Sequence, residues 1–116
     1  MATNPEYPKP EPTEMQTMYG LMGKMIAKPG QRDALIALML EASSDMPGCR
    51  SYVVGRDVEN ADAIWVTEVW TSKASHAASL QIPEVRAVIQ RAMPLIAGFG
   101  ERFEMEPVGG LGLRDD

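Results

Sequence analysis

The sequence predicts an α+β domain in which two strand–helix–strand units share a single antiparallel sheet. Three observations carry that expectation. Four segments show strand-like character, most plainly the alternation of apolar residues in the first and third. The first and third are each followed by apolar positions spaced three and four apart, the mark of one-sided helices. Proline, glycine or short polar runs separate the segments.

Residues 18–27 form the first strand. Tyr19, Leu21, Met25 and Ala27 fall on one face and Met22 and Ile26 on the other. Gly20 and Gly23 weaken the strand propensity but permit close backbone approach. Pro29-Gly30 ends it. A helix is expected over residues 31–46, where Leu35, Leu38, Met39, Ala42 and Met46 line one face; Ile36 and Leu40 widen that face, so the helix is expected to be well buried. Pro47-Gly48 stops it. Residues 49–57 make the second strand, the polar run from Val58 to Asp62 a hairpin loop, and residues 63–70 the third strand. Alternation sets Ile64, Val66, Glu68 and Trp70 on one face, and Trp65, Thr67 and Val69 on the other. Ser72 is a candidate N-cap for a short helix through Leu80. Pro83 suits the first turn of a second helical piece, with a stripe of Val85, Val88, Ile89, Ala92 and Ile96 that Pro94 should kink or end. The last strand is expected over residues 100–107.

The order βαββαβ is that of a ferredoxin-like protomer, with both helices on one face of the sheet. Trp65, Val69, Met22 and Ile26 would leave apolar surface on the opposite face. A second copy packing sheet to sheet would bury it, so a homodimer with two-fold symmetry is expected. Residues 1–17 read as an arm, because Pro5, Pro8, Pro10 and Pro12 break helix and sheet pairing alike; such an arm would lie naturally across the partner subunit. Residues 108–116 read as a glycine-rich flexible tail, leaving residues 18–107 as the domain.

With 116 residues the chain fits one domain and buries a core without disulfides. The formal charge of −5 comes with no cluster of lysine or arginine, which excludes nucleic acid and disfavours an anionic membrane surface. No apolar run reaches the roughly 20 residues of a spanning helix. The start of the chain has no signal-peptide pattern. One cysteine, Cys49, has no second cysteine to pair with, so a cytoplasmic location is expected.

The chemistry is narrowed mainly by exclusion. One histidine and one cysteine cannot build the usual four-ligand zinc site, and no spacing suggests another metal. Gly109-Gly110-Leu111-Gly112 lacks the strand-then-helix setting of a phosphate-binding loop. What remains is a concentration of unusual residues from the third strand to the next helix. Glu68 sits in an apolar alternation; burial would raise its pKa and suit it to proton transfer. The plainer alternative is that it pairs with Arg50, Arg56 or a backbone donor. His76 carries the one imidazole, a natural base near neutral pH, although a half-exposed histidine without a role would look the same in sequence. Trp70 and Trp65 offer flat apolar walls, and Tyr52 and Tyr19 phenol groups that can hydrogen-bond an oxygenated ligand; as a rule such aromatics are core. The nine methionines add an adaptable lining.

Four stretches, in order, resemble the antibiotic biosynthesis monooxygenase family: residues 27–35 (AKPGQRDAL), 47–52 (PGCRSY), 68–70 (EVW) and 75–80 (SHAASL). The resemblance runs from about Tyr19 to Pro107 and is similar in particular to the quinol-monooxygenase-like branch. It implies a ferredoxin-like protomer, a dimeric α+β barrel, and oxidation of a small quinol or phenolic aromatic by O2 without a cofactor. It also implies His76 and Glu68 as catalytic residues and Trp70, Tyr52, Tyr19 and Trp65 as substrate-binding ones. Two departures stand out. Many relatives carry a histidine where this chain has Ser79, and the histidine of the haem-degrading branch, near Ile89, is missing. A non-catalytic ligand-binding or stress-response protein and an isomerase are the alternative readings, since fold alone does not set reaction type.

Overall fold

The computed structural model describes residues 17–43 and 46–115. The proline-rich arm therefore lies outside the described residues except for Thr17. The elements run β1 (Tyr19–Ala27), α1 (Arg32–Ala42), β2 (Cys49–Arg56), β3 (Ala63–Trp70), α2 (Lys73–Ser79), α3 (Pro83–Ala92), a single 3-10 turn (Met93–Leu95) and β4 (Ile96–Met105). The sheet order is β2-β3-β1-β4, with every neighbour antiparallel. This is the ferredoxin-like arrangement, in which the first strands of the two units, β1 and β3, form the centre.

The central pair carries the core because helices cover one of its faces. Leu35 and Ile64 are completely buried and Trp70 is 1% exposed. Two apolar clusters result. One gathers Leu21, Trp70, Cys49 and Val85 near the start of β1; the other gathers Ala27, Leu35, Met39, Ile64 and Ala92 near its end. Tyr52 packs against both, so it marks the seam between them.

Three expectations change. Helix α1 ends at Ala42 rather than Met46: the Ser43 N–H and Oγ both donate to the Leu40 carbonyl, which tightens and closes the last turn. Met46 is buried all the same, from the loop that follows, whereas Leu40 is half exposed, so the helix buries a narrower face than its apolar content suggested. Strand β4 begins at Ile96, four residues early, because Ile96 pairs in register with Ala27 instead of extending the α3 stripe. Gly20 and Gly23 also part company. A Cβ on Gly20 would sit 2.7 Å from Met105 Cγ, so close approach does require the glycine there. A Cβ on Gly23 would meet nothing within 4 Å.

The far face of the sheet exposes Met22, Val53, Phe103 and Met105, with Ile26, Trp65 and Val69 partly covered beside them. The C-terminal segment folds back toward the opposite edge of the sheet. There the Arg114 N–H donates to the Arg50 carbonyl at 2.9 Å, and the Arg50 guanidinium donates to the Arg114 carbonyl. Among the described residues no helix is long and apolar enough to cross a membrane.

Candidate functional site

Strand pairing assembles the site across three strands. Glu68 and Trp70 share the helix-side face of β3 by alternation. Tyr52 of β2 is the register partner of Glu68, and Tyr19 of β1 that of Trp70. Helix α2 then brings His76 over them. It can do so because Ser72 caps the helix, accepting from the Ser75 N–H at 3.0 Å, immediately after β3 ends.

The side chains converge. Trp70 Nε1 donates to Glu68 Oε1 at 2.8 Å, and His76 Nε2 lies 3.9 Å from that same oxygen. The imidazole meets the Trp70 ring edge-on with centroids 5.4 Å apart, and the Tyr19 ring at 5.5 Å. Tyr19 is held in turn: its hydroxyl donates to Glu104 and accepts from Arg102 Nη2 at 3.2 Å. Glu68 and His76 side chains are 13% and 17% exposed, enough for a ligand to reach both and little enough to limit water.

These groups open into a cavity of about 280 Å³ between the sheet and the helices. Its walls are mostly apolar, with Met25, Leu35, Met39 and Val88 prominent, and its polar side chains are Tyr52, Glu68, His76 and Ser79, with the indole of Trp70 beside them. That composition is typical of a small-molecule pocket. A second hollow of about 270 Å³ shares Met25, Met39, Tyr52, Glu68 and Phe99 with the first, so Tyr52 and Glu68 stand where the two meet.

Burial pushes the Glu68 carboxyl above the ordinary carboxylate range, and the Trp70 hydrogen bond and the charges of His76 and Arg102 only partly offset it. Burial, reinforced by the charges of Glu68 and Cys49, also pushes the Tyr52 phenol up, so it stays a hydroxyl. Burial and the Glu104 hydrogen bond do the same for Tyr19. Trp70 has committed its one N–H to Glu68, which leaves Tyr52 as the neutral donor turned to the cavity.

Five of the six residues singled out in the sequence thus come together: Tyr52, Glu68, Trp70 and His76 on the cavity wall, and Tyr19 behind the imidazole without lining either hollow. Trp65 does not. It lies on the other face of β3, with Nε1 donating to Asp57 Oδ2 at 2.8 Å and the Lys24 ammonium 5.5 Å from its ring centroid, and it lines neither hollow. Neither arginine considered as a partner for Glu68 meets it: Arg50 turns to Met18 and Arg114, and Arg56 to Asp33. Ser79 lines the cavity but donates to the His76 carbonyl at 2.6 Å, within its own helix. Among the described residues no three histidine, cysteine, aspartate or glutamate side chains converge as metal ligands. Sequence reasoning missed Arg102 and Glu104, which hold Tyr19. Their signal is positional and needs the order of the strands, since β4 reaches the site only by pairing with β1.

Comparison with known proteins agrees with this architecture. The family model described as antibiotic biosynthesis monooxygenase matches residues 18–91, more than half of the chain. A crystal structure from Chloroflexus aurantiacus J-10-fl, named for the same family, is 58% identical, covers 84% of this chain and 99% of its own, and has a TM-score of 0.81. One from Caulobacter crescentus CB15, named likewise, is 18% identical over 81% of this chain and 92% of its own, with a TM-score of 0.73. A Pseudomonas aeruginosa protein is 16% identical over 82% and 98%, with a TM-score of 0.70. The last two show the fold alone. No curated protein matches the chain.

Proposed function

The chain belongs to the antibiotic biosynthesis monooxygenase family, and from that premise we propose that it oxidises a small quinol or phenolic aromatic with O2, using no metal or flavin. One observation carries the reading: Glu68, His76 and Tyr52 converge on an apolar cavity of about 280 Å³. A deprotonated quinol is electron-rich enough to pass an electron to O2 itself. The protein then has to bind the ring, take the proton and steady the anion. In this reading His76 is the base, and Glu68, 3.9 Å away, orients it and balances the imidazolium. The Tyr52 hydroxyl donates to the substrate oxygen. Trp70 and the methionines form the walls, and Tyr19 positions the imidazole. Trp65 takes no part.

Oxygen uptake with a panel of hydroquinones tests this. Wild type is expected to exceed the spontaneous rate, and His76→Ala to fall by about 10²-fold or more, the usual worth of a positioned base. No uptake above background with any of the panel would sink the reading. Ligand recovered unchanged would favour a binding protein, and turnover without oxygen an isomerase.

The same reading includes a homodimer closed sheet to sheet, supported by the exposed apolar side chains of Met22, Val53, Phe103 and Met105. Sedimentation is expected to give a dimer, and Phe103→Lys a monomer; a wild-type monomer at micromolar concentration would remove this part. A cytoplasmic setting goes with the single buried thiol of Cys49.

A further inference from the structure

The second hollow has a composition that the first lacks. Its floor is Gly23, whose missing side chain leaves the space open, since a Cβ there would touch nothing. Directly across the strand pair, in register with Gly23, stands Arg102. Arg102 lines the hollow, and its guanidinium carries more donors than the described residues use. Among the described residues it makes one hydrogen bond, to the Tyr19 hydroxyl at 3.2 Å. Its nearest carboxylate oxygen, Glu104 Oε2, lies 3.8 Å away, beyond hydrogen-bonding distance, and already accepts from Tyr19. Lys24 lines the same hollow, with its ammonium 3.9 Å from both Asp57 and Glu101 and so within ion-pair range only. The two carboxylates on this wall look elsewhere: Glu101 is 60% exposed, and Glu68 is turned toward Trp70 and His76.

We infer that this second hollow is a subsite for a carboxylate carried by the aromatic substrate, received by the guanidinium of Arg102 over the open floor at Gly23. The inference rests on the aromatic-pocket reading above and deepens it. The ring occupies the first cavity, the acidic substituent passes the shared wall at Tyr52 and Glu68, and the anion ends at Arg102. A planar fork of N–H donors matches a carboxylate's two oxygens, and the Arg102 side chain, 56% exposed, is open to an incoming anion. An uncharged substituent of the same size would leave those donors unmet.

Binding of 6-hydroxy-2-naphthoate and of its primary amide, measured by quenching of tryptophan fluorescence, tests the subsite without requiring turnover. The two probes share shape and differ in charge. The acid is expected to bind at least tenfold more tightly than the amide, and the gap should narrow as salt rises. Arg102→Gln should close the gap by weakening the acid far more than the amide. Gly23→Val, which fills the floor at a position without strain or neighbours, should weaken the acid by at least tenfold with the circular dichroism spectrum intact. Equal affinities in wild type, a gap that survives Arg102→Gln, or no binding of the acid would each overturn the inference. Charge-selective binding without oxygen uptake would sink the oxidation and keep the subsite; uptake without charge selectivity would do the reverse.

Discussion

Trp65 and Trp70 are five residues apart on one strand, and each donates its indole N–H to a carboxylate at 2.8 Å. The two carboxylates nevertheless move in opposite directions. Asp57, the partner of Trp65, is held down at about 2, chiefly because it also accepts the backbone N–H groups of Asn60 and Glu59 in the hairpin loop. Glu68, the partner of Trp70, is pushed up because burial outweighs its one strong hydrogen bond. The same bond therefore serves a settled turn on one face and a poised group on the other. What separates them is the number of donors, three at Asp57 against one at Glu68, and not the indole or exposure, since the two side chains are 14% and 13% exposed. A carboxyl that gains or loses a proton easily is useful beside a histidine and a cavity; one locked as an anion in a loop is useful as a turn.

Removing the rings has the largest expected effect. Trp70→Ala empties a site that is 1% exposed at the heart of one core cluster and is expected to cost about 3–5 kcal/mol. Trp65→Ala, on the partly covered face, should cost about 1 kcal/mol. Urea unfolding of both variants decides, and equal losses would dissolve the distinction between the faces.

Next in size is the chemistry. Glu68→Gln keeps an acceptor for the indole and removes the charge. It is expected to lower oxygen uptake by about 10²-fold, whereas Asp57→Asn should leave the rate where it was. Matching losses at the two positions would mean that Glu68 acts through general charge alone.

The smallest effect is on the pH dependence of stability. The folded state holds the Glu68 proton more tightly than the unfolded chain does, so stability falls as pH rises from the ordinary carboxylate range through the raised value. Glu68→Gln should therefore gain melting temperature relative to wild type across that window. Asp57 has the opposite sign: its contribution is present above the ordinary range and is lost as pH falls through about 2. Asp57→Asn should fall below wild type at neutral pH and converge with it in acid. Melting curves from about pH 2 to pH 8 read both slopes, and slopes of the same sign would contradict the opposite shifts of the two carboxyls.

Much of the site was legible because its parts obey short-range rules. The limits of β3 at Ala63 and Trp70, the cap at Ser72 and the start of α3 at Pro83 follow from alternation, a side-chain acceptor and a fixed φ. The misreadings arose where a distant partner overrules local pattern. Ile96 stands four residues after Ala92, which suits a helix stripe, yet pairing with Ala27 draws it into β4. Leu40 is apolar and helical, yet among the described residues none covers that side of α1, and it stays half exposed. Trp65 looked like a cavity wall by residue type, although alternation had already set it on the other face from Glu68.

By itself the sequence determined which side chains share a face, since a strand turns every second residue to the same side and a helix every third or fourth. That is enough to unite Glu68 with Trp70 and to separate Trp65 from both. Tertiary structure alone decided what stands opposite. Pairing β4 with β1 joins Tyr19 to Glu104, 85 residues away, and sets Arg102 across from Gly23. It also decided the charge behaviour of Glu68, raised because segments far apart in the chain exclude water from it, whereas Asp57 is held down chiefly by donors two and three residues away.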